Sequence, residues 1–294
     1  MALAVTQLDM RRKSVRAAQA ILILIFVFAC ITVFFPLVLT VIVSFSSELS
    51  VMQKGYSFFP NEWSVAAYKY VFEKTNILQA YWVTIRVTVI GTVLSVLLCS
   101  STGYVLSRKC VKYRNVIAFM FYFPTLLNPG VVAWYYNVRY VFHLDNTIWV
   151  LILPSLVNVF NIFLVRNYYS TIPESLEESA KMDGASPLTI FFKIMLPLAL
   201  PITATITLFI SLGFWNDWYM ASWFIDTRHK DLYPLQYHLY RLWQTMTTEG
   251  NTTETPQQTV YVATMFVTMG PIVLVYPFLQ KYFMKGIMVG AVKG

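Results

Sequence analysis

A small set of amide, hydroxyl and indole side chains interrupts the long uncharged stretches of this sequence. Asn158 and Asn161 are three residues apart, so on a helix they share one face. Amide and hydroxyl groups exchange hydrogen bonds with a polar ligand, and an indole face offers a stacking surface. The same side chains also join helices to one another or anchor them at a membrane surface. The candidates for ligand contact are Asn128, Asn158, Asn161, Thr207, Ser211, Trp215 and Asn216.

A second group of chemistry-bearing residues lies in the charged segment 166–193. Thr171 followed by Glu174 three residues later predicts a capping box at the start of a short helix. Gly184 predicts its end, because glycine readily takes the left-handed conformation there. Ser186 before a proline predicts the start of a second helix. The segment therefore indicates two short helices with a sharp corner.

The charges of this segment distinguish two neighbouring glutamates. Glu177 and Lys181 are four residues apart and can pair on one helix. Glu178 is four residues from Glu174, which carries the same charge, so its own helix offers it no partner. Glu178 is free to meet a cation on another protein. A solvated, well-capped connector is the alternative interpretation.

The composition of the whole chain defines the elements that must position these residues. Of the 294 residues, 57% are hydrophobic and 12% are charged, whereas an ordinary soluble domain has roughly 25% charged residues. Mean hydropathy is +0.58. These values exclude a soluble globular enzyme and a disordered chain. Three cysteines are too few for a disulfide scaffold, and the sequence offers no clustered metal ligands or catalytic group.

Uncharged stretches long enough to cross a bilayer occur six times, and they predict an all-α membrane protein. A span needs roughly 17–25 apolar residues as a helix, and the alternation typical of barrel strands is missing. The first stretch contains Pro36, which predicts a kink. The six predicted spans are 20–45, 87–107, 116–138, 147–165, 194–216 and 259–280.

The distribution of Lys and Arg predicts the orientation. With both termini on one side, that side holds fourteen of the 22 basic residues and the other side holds seven, so both termini are cytosolic by the positive-inside rule. The net charge of +8 follows from this topology and does not indicate nucleic-acid binding. We predict a cytosolic tail, one transmembrane domain, an inner loop and two outer loops, at 1–19, 20–294, 166–193, 46–79 and 217–258.

The inner loop resembles a known motif. The run Glu178-Ser179-Ala180, two residues, then Asp183-Gly184-Ala185, followed by Leu196-Pro197, is similar to the coupling-loop motif of ABC importer permeases. Ser179 stands where that family usually has alanine. The layout resembles the carbohydrate branch, in particular the smaller permease of maltose-type systems. Segments 213–218, 233–236 and 285–294 resemble permeases for alginate or pectin oligosaccharides.

The resemblance implies a type I ABC importer permease of six helices with a cytosolic coupling helix in a bacterial inner membrane. It implies that Glu178, Ser179, Ala180, Asp183, Gly184 and Ala185 contact an ATPase subunit. The chain lacks the G-x-x-x-x-G-K-[ST] phosphate loop, so ATP and magnesium are expected on separate subunits and this chain is expected to bind no cofactor. The implied partners are a second homologous permease, two ATPase subunits, an extracytoplasmic solute-binding protein, an oligosaccharide and membrane lipid.

The outer loop before the last predicted span carries a further expectation. In the resembled maltose-type subunit an equivalent loop enters the binding protein, so residues 249–255 are expected to form its counterpart, with a plain flexible connector as the alternative. The expected contact residues are Glu249, Gly250, Asn251, Thr252 and Thr253.

Two other classes of protein are alternatives for the whole chain. A transporter or channel driven by an ion gradient predicts charged residues deep in the spans, and the six predicted stretches contain none. A membrane-embedded enzyme predicts a catalytic cluster, for which the sequence offers no candidate.

Overall fold

The computed structural model describes residues 2–127, 130–249 and 258–274, and in this part of the chain helices are the regular secondary structure. An isolated antiparallel bridge joins Ser46 to Trp63. The α-helices are α1 Ala2–Ser44, α2 Glu48–Lys54, α3 Ala66–Lys74, α4 Ile77–Ser107, α5 Arg114–Leu126, α6 Gly130–Tyr136, α7 Val159–Tyr169, α8 Ser175–Met182, α9 Pro187–Ile190, α10 Leu196–Leu198, α11 Leu200–Trp215, α12 Tyr219–Phe224, α13 Leu235–Glu249 and α14 Gln258–Leu274. Short π-helices follow α6 and α9.

The described parts of the six predicted spans fall on apolar helical segments. The first two lie within the long helices α1 and α4, and the sixth begins in α14. The first span lies in a helix that includes the predicted tail and continues through Pro36. The second begins earlier than predicted, at Ile77, so that Arg86 lies within the helix. Hydropathy located the spans, but an uncharged stretch does not define where a helix begins.

The other three predicted spans are broken, whereas the sequence analysis treated each as one helix. The third is divided between α5 and α6, and Gly130 begins α6 with φ +81°. The fourth bends by 48° between two 3-10 turns and α7. The fifth bends by 83° just before α11, where Pro201 has no backbone N–H to continue the hydrogen-bond ladder. After this bend, α11 runs without a break from Leu200 to Trp215.

The described residues form two compact units. One comprises the described residues of Met1–Lys74 and Thr248–Phe266. In it, the apolar side chains of α1 between residues 18 and 37 are exposed, which suits contact with lipid. The carboxylate of Glu48 accepts hydrogen bonds from the backbone amides of Gln258 at 3.0 Å and Thr259 at 2.9 Å. Glu48 thus caps the start of α14, where a negative charge is favoured.

The second unit comprises the described residues of Thr75–Thr247 and Val267–Gly294. Its centre is α4, which packs along both α7 and α11. Two glycines of α4 allow α7 and α11 to approach it closely. A Cβ at Gly91 would lie 2.6 to 2.8 Å from the ring of Phe214, and a Cβ at Gly103 would lie 2.9 Å from Val165. These three helices form the scaffold on which the candidate site is built.

The predicted outer loops contain helices. Helices α2 and α3 lie in the first of them, and α12 and α13 lie in the second. The backbone amide of Leu235 at the start of α13 donates to the hydroxyl of Thr84 on α4 at 2.9 Å. Amphipathic segments of this length escape a search for uncharged stretches because their polar residues interrupt the apolar pattern.

Candidate functional site

Helix α8 begins differently from the predicted capping box. The hydroxyl of Thr171 donates to the carbonyl of Tyr168 at 2.8 Å, so it completes the end of α7. The residue before α8 is Glu174, which makes no capping hydrogen bond and instead lies 3.3 Å from Lys109. The prediction of a capping box was wrong because the preceding helix ends only two residues before Thr171 and takes its hydroxyl.

The corner after α8 is as predicted. Gly184 has φ +79°, its amide donates to the carbonyl of Lys181, and the amide of Ala185 donates to the carbonyl of Ala180, both at 3.0 Å. This pair of bonds is the Schellman motif that ends a helix at a left-handed residue. A Cβ at Gly184 would meet nothing within 4 Å, so the requirement for glycine comes from the backbone angle alone.

The next helix also begins as predicted. The Oγ of Ser186 accepts the backbone amide of Thr189 at 3.2 Å, and a proline occupies the first helical position. The predicted geometry of two short helices joined by a sharp corner is therefore confirmed.

Helix α8 has two contrasting faces. Glu177 and Ala180 are buried and hold the helix against the rest of the second unit, and Glu177 pairs with Lys181 at 2.8 Å as predicted. The hydrogen bond from Lys181 to Glu177 raises the pKa of the lysine. On the opposite face Glu178 is exposed and makes no salt bridge with the described residues, and Met182 is 89% exposed. Glu178 thus lies on the open face, as its lack of a helical partner suggested.

The remaining residues of the motif extend this open face. Ser179 and Asp183 are exposed, and Ala185 is half-buried beside the corner. Leu188, in the next helix, is 71% exposed. A surface that combines exposed apolar side chains with an available carboxylate is suited to bind another protein.

Asn158 and Asn161 lie together at a cavity of about 410 Å³ in the second unit. Asn158 precedes α7 and caps it, because its Oδ1 accepts the amide of Asn161 at 3.0 Å. The sequence predicted that the two asparagines share one face of a continuous helix. In the structure Asn158 instead precedes α7, and its side chain lies beside Asn161 because it caps the start of that helix. The residues that line the cavity are Ser95, Ser155, Asn158, Phe160, Asn161, Phe209, Ile210, Gly213, Phe214 and Asp217.

Asp217 brings a carboxylate to the edge of this cavity, just beyond the end of α11. Its Oδ1 accepts the amides of Tyr219 at 2.8 Å and Met220 at 3.2 Å. Burial raises the pKa of Asp217, and the two amides oppose that shift. The cavity thus combines amide, hydroxyl, aromatic and carboxyl groups, which suits a polyhydroxylated ligand.

Thr207, Ser211 and Trp215, the ligand-contact candidates on α11, are not among the residues that line this cavity. The hydroxyls of Thr207 and Ser211 donate to carbonyls of their own helix, at 2.7 and 3.0 Å. Trp215 is 7% exposed, and its indole Nε1 donates to the carbonyl of Thr268. These three polar groups thus have hydrogen-bond partners within the described part of the chain, and their contact with a substrate stays a prediction. Asn216 is exposed and accepts a hydrogen bond from Gln236 at 3.3 Å.

Some predicted site residues cannot be placed. Asn128 and the loop residues Gly250, Asn251, Thr252 and Thr253 lie outside the described part of the chain, as does the ending 285–294. Glu249 is the last residue of α13. Among the described residues, no group of three His, Cys, Asp or Glu is placed to hold a metal ion.

Sequence reasoning missed the cavity residues contributed by other helices, including Ser95 on α4 and Gly213 on α11. Gly213 lies within the segment 213–218, for which the sequence indicated a family resemblance and no role in a cavity. Ser95 gave no sequence signal, because one serine in an apolar helix is common. Arg108 was also missed as a site residue, although it is buried against Glu177.

The comparisons with known proteins agree with this architecture. The family described as binding-protein-dependent transport system inner membrane component matches residues 2–289. A polygalacturonan/rhamnogalacturonan transport system permease protein, YtcP of Bacillus subtilis (strain 168), is 37% identical over 279 residues, which cover 92% of this chain and 96% of YtcP. Protein LplC of the same organism is 37% identical over 257 residues, or 85% of this chain and 86% of LplC.

A solved structure extends the similarity to the fold. A chain from the crystal structure of a bacterial ABC transporter involved in the import of the acidic polysaccharide alginate matches with a TM-score of 0.79 and 30% sequence identity. The match covers 89% of this chain and 94% of that chain. This likeness confirms the predicted helical fold of a type I importer permease.

A helical membrane subunit of an ABC importer is the class of protein that this fold and these matches define. The chain belongs to the family of binding-protein-dependent transport system inner membrane components. It is a transport component, and the alternative of an ion-gradient-driven transporter is set aside.

Proposed function

We propose that this chain is one of two permease subunits of an ATP-driven importer for oligosaccharides derived from plant or algal polysaccharides. The cavity that contains Asn158 and Asn161 carries the proposal, since it presents hydrogen-bonding groups and aromatic rings to a common space. The names of the relatives support the same substrate class, because YtcP is described for polygalacturonan and the solved neighbour for alginate.

Helix α8 is the proposed contact with the ATPase. Its open face offers the Glu178 carboxylate and the Met182 side chain beside the corner at Gly184. In this proposal α8 and both termini lie in the cytosol, as the distribution of basic residues along the chain supports. ATP and magnesium bind to two separate ATPase subunits, and a second permease completes the pathway. An extracytoplasmic binding protein delivers the sugar and meets the loop that follows Glu249.

Isolation of the assembled complex tests the proposed subunit arrangement. The chain, tagged and expressed in its native host, is extracted from membranes with a mild detergent and weighed by native mass spectrometry. We expect one copy of this chain, one second permease and two ATPase copies. A complex without ATPase, or this chain alone under conditions that preserve other membrane complexes, would contradict the proposal.

Substrate class is tested by ATP hydrolysis in the same complex. The binding protein secreted by the host is added with oligogalacturonate, alginate trimers or a dipeptide as probes. We expect hydrolysis to rise with at least one of the oligosaccharides and to remain at the basal rate with the dipeptide. Stimulation by the dipeptide alone would overturn the substrate class while leaving the importer class intact.

A further inference from the structure

A buried ion pair joins α8 to the inner end of α4. Arg108 is the residue directly after α4 and is 5% exposed, and Glu177 on α8 is 7% exposed. The Nε of Arg108 lies 3.4 Å from the Oε2 of Glu177, a charge contact without hydrogen-bond geometry. Charged side chains are seldom buried to this extent unless they are paired.

The guanidinium of Arg108 also reaches a third helix. Its Nη2 donates to the carbonyl of Tyr169, the last residue of α7, at 3.1 Å. Its Cζ lies 5.1 Å from the ring centre of Tyr104 on α4, within the range of a cation–π contact. One side chain therefore contacts α4, α7 and α8 together.

The helices that meet at Arg108 are themselves closely packed. At Gly103 a Cβ would lie 3.0 Å from the backbone of α7, at Arg166 N and at Ile162 O. Farther along α4, Gly91 packs directly on the ring of Phe214 from α11. Interiors packed this tightly transmit a displacement with little compression. Ser95, Asn158 and Gly213 on these same helices or at their starts line the cavity.

We propose that Arg108 and Glu177 are positioning residues that fasten the coupling helix to the cavity-lining helices, so that α8, α4, α7 and α11 move as one body. This inference rests on the proposed role of α8 at the ATPase. An apolar pair of similar volume would stabilise the fold at least as well. The ion pair additionally holds α8 in one register against α4 and α7, because Arg108 must meet both the carbonyl of Tyr169 and the charge of Glu177.

The first test replaces the ion pair between Arg108 and Glu177 with an apolar contact. The double variant Arg108→Met/Glu177→Leu removes both charges together, so that neither is left buried alone. In proteoliposomes that contain the assembled complex, the amount of sugar imported per ATP hydrolysed is expected to fall at least about fivefold. Assembly and thermal stability should stay close to those of the wild type.

The matched control uses the exposed ion pair between the same two parts of the chain. Lys109 and Glu174 lie 3.3 Å apart, with side chains 75% and 48% exposed. Ion pairs exposed to this extent contribute little to stability. Lys109→Met/Glu174→Gln should therefore change the amount of sugar imported per ATP hydrolysed by less than about 1.5-fold. An unchanged ratio in the Arg108→Met/Glu177→Leu variant would overturn the inference, whereas a wild-type complex without ATP-dependent uptake would overturn the proposed function.

A second measurement does not depend on the stability of the double variant. Spin labels are placed at Ser175 on α8 and at Val89 in the outer half of α4, both exposed, in a chain whose three cysteines are replaced by alanine. The distance between the labels is expected to stay constant within about 1 Å between the nucleotide-free and ATP-bound complexes. A shift of more than about 1 Å, the scale on which helices slide past one another in allosteric transitions, would show that α8 moves independently.

Discussion

Glu177 and Glu178 are adjacent in the sequence and have opposite environments. Successive residues on a helix point about 100° apart, so Glu177 is buried between Arg108 and Lys181 while Glu178 faces outward. The sequence predicted the pair of Glu177 with Lys181 because both residues lie on one helix. It could not predict Arg108, since that partner comes from a distant part of the chain.

Replacement of Glu178 is expected to weaken ATPase binding without affecting the fold. Glu178→Gln keeps the size of the side chain and removes the charge, so the affinity for the ATPase should fall roughly tenfold as a charge pair at the contact is lost. Binding of the purified ATPase to the permease pair gives the measurement. Glu174→Gln, another exposed glutamate of the same segment, is the control, and an equal loss in both variants would contradict a specific role for Glu178.

The corner at Gly184 is expected to tolerate asparagine better than valine. With φ at +79°, a β-branched residue is strained by about 1–2 kcal/mol, while asparagine adopts this conformation more readily. Gly184→Val should therefore lower ATP-driven uptake strongly and Gly184→Asn only mildly, in complexes that insert equally well. If valine and asparagine gave equal uptake, the left-handed corner would have no role in coupling.

At the scale of helices, the sequence located the spans better than their interruptions. As far as the chain is described, the predicted spans fall on apolar helical segments, because length without charge is what a bilayer requires. The breaks at Gly130, Asn158 and Pro201 arise from single residues whose effect depends on their neighbours. The break at Asn158 matters most, since it places that amide beside Asn161 at the cavity.

The close packing of α4 against α7 gives a prediction about stability. Gly103→Ala places a methyl group 2.9 Å from Val165 and 3.0 Å from the backbone of α7, an overpacking expected to cost about 1–3 kcal/mol. The melting temperature of the complex should drop by several degrees. Gly213→Ala is the matched control, because a Cβ there would meet nothing within 4 Å. A drop of the same size in both variants would argue against the packing explanation.

The cavity gives a prediction about access from water. Cysteines at Asn158 and Gly213, which line the cavity, should react with a charged, water-soluble thiol reagent in a cysteine-free complex. Oligosaccharide together with ATP and the binding protein should slow the reaction. A cysteine at Val89, exposed on α4 away from the cavity, should stay unreactive in lipid. If neither cysteine reacted in any nucleotide state, the cavity would be excluded as part of the oligosaccharide path.

At the scale of the whole molecule, membership of the importer family was predictable from one short segment. The residues from Glu178 to Ala185 carry the resemblance, and the family match over residues 2–289 confirms it. The substrate path was harder to predict because it depends on which helices meet. Trp215 was a candidate for ligand contact because an indole face offers a stacking surface. In the structure its indole donates a hydrogen bond to α14.

Uptake by proteoliposomes distinguishes an ATP-driven oligosaccharide importer from a transporter driven by an ion gradient. Vesicles that contain the complex purified with this chain receive its binding protein and radiolabelled oligogalacturonate or alginate trimers outside, and ATP inside. We expect accumulation that requires both ATP and the binding protein, persists with ionophores, and falls at least tenfold in Asn158→Leu/Asn161→Leu. Accumulation that continues without ATP and collapses when an ionophore removes the ion gradient would contradict it.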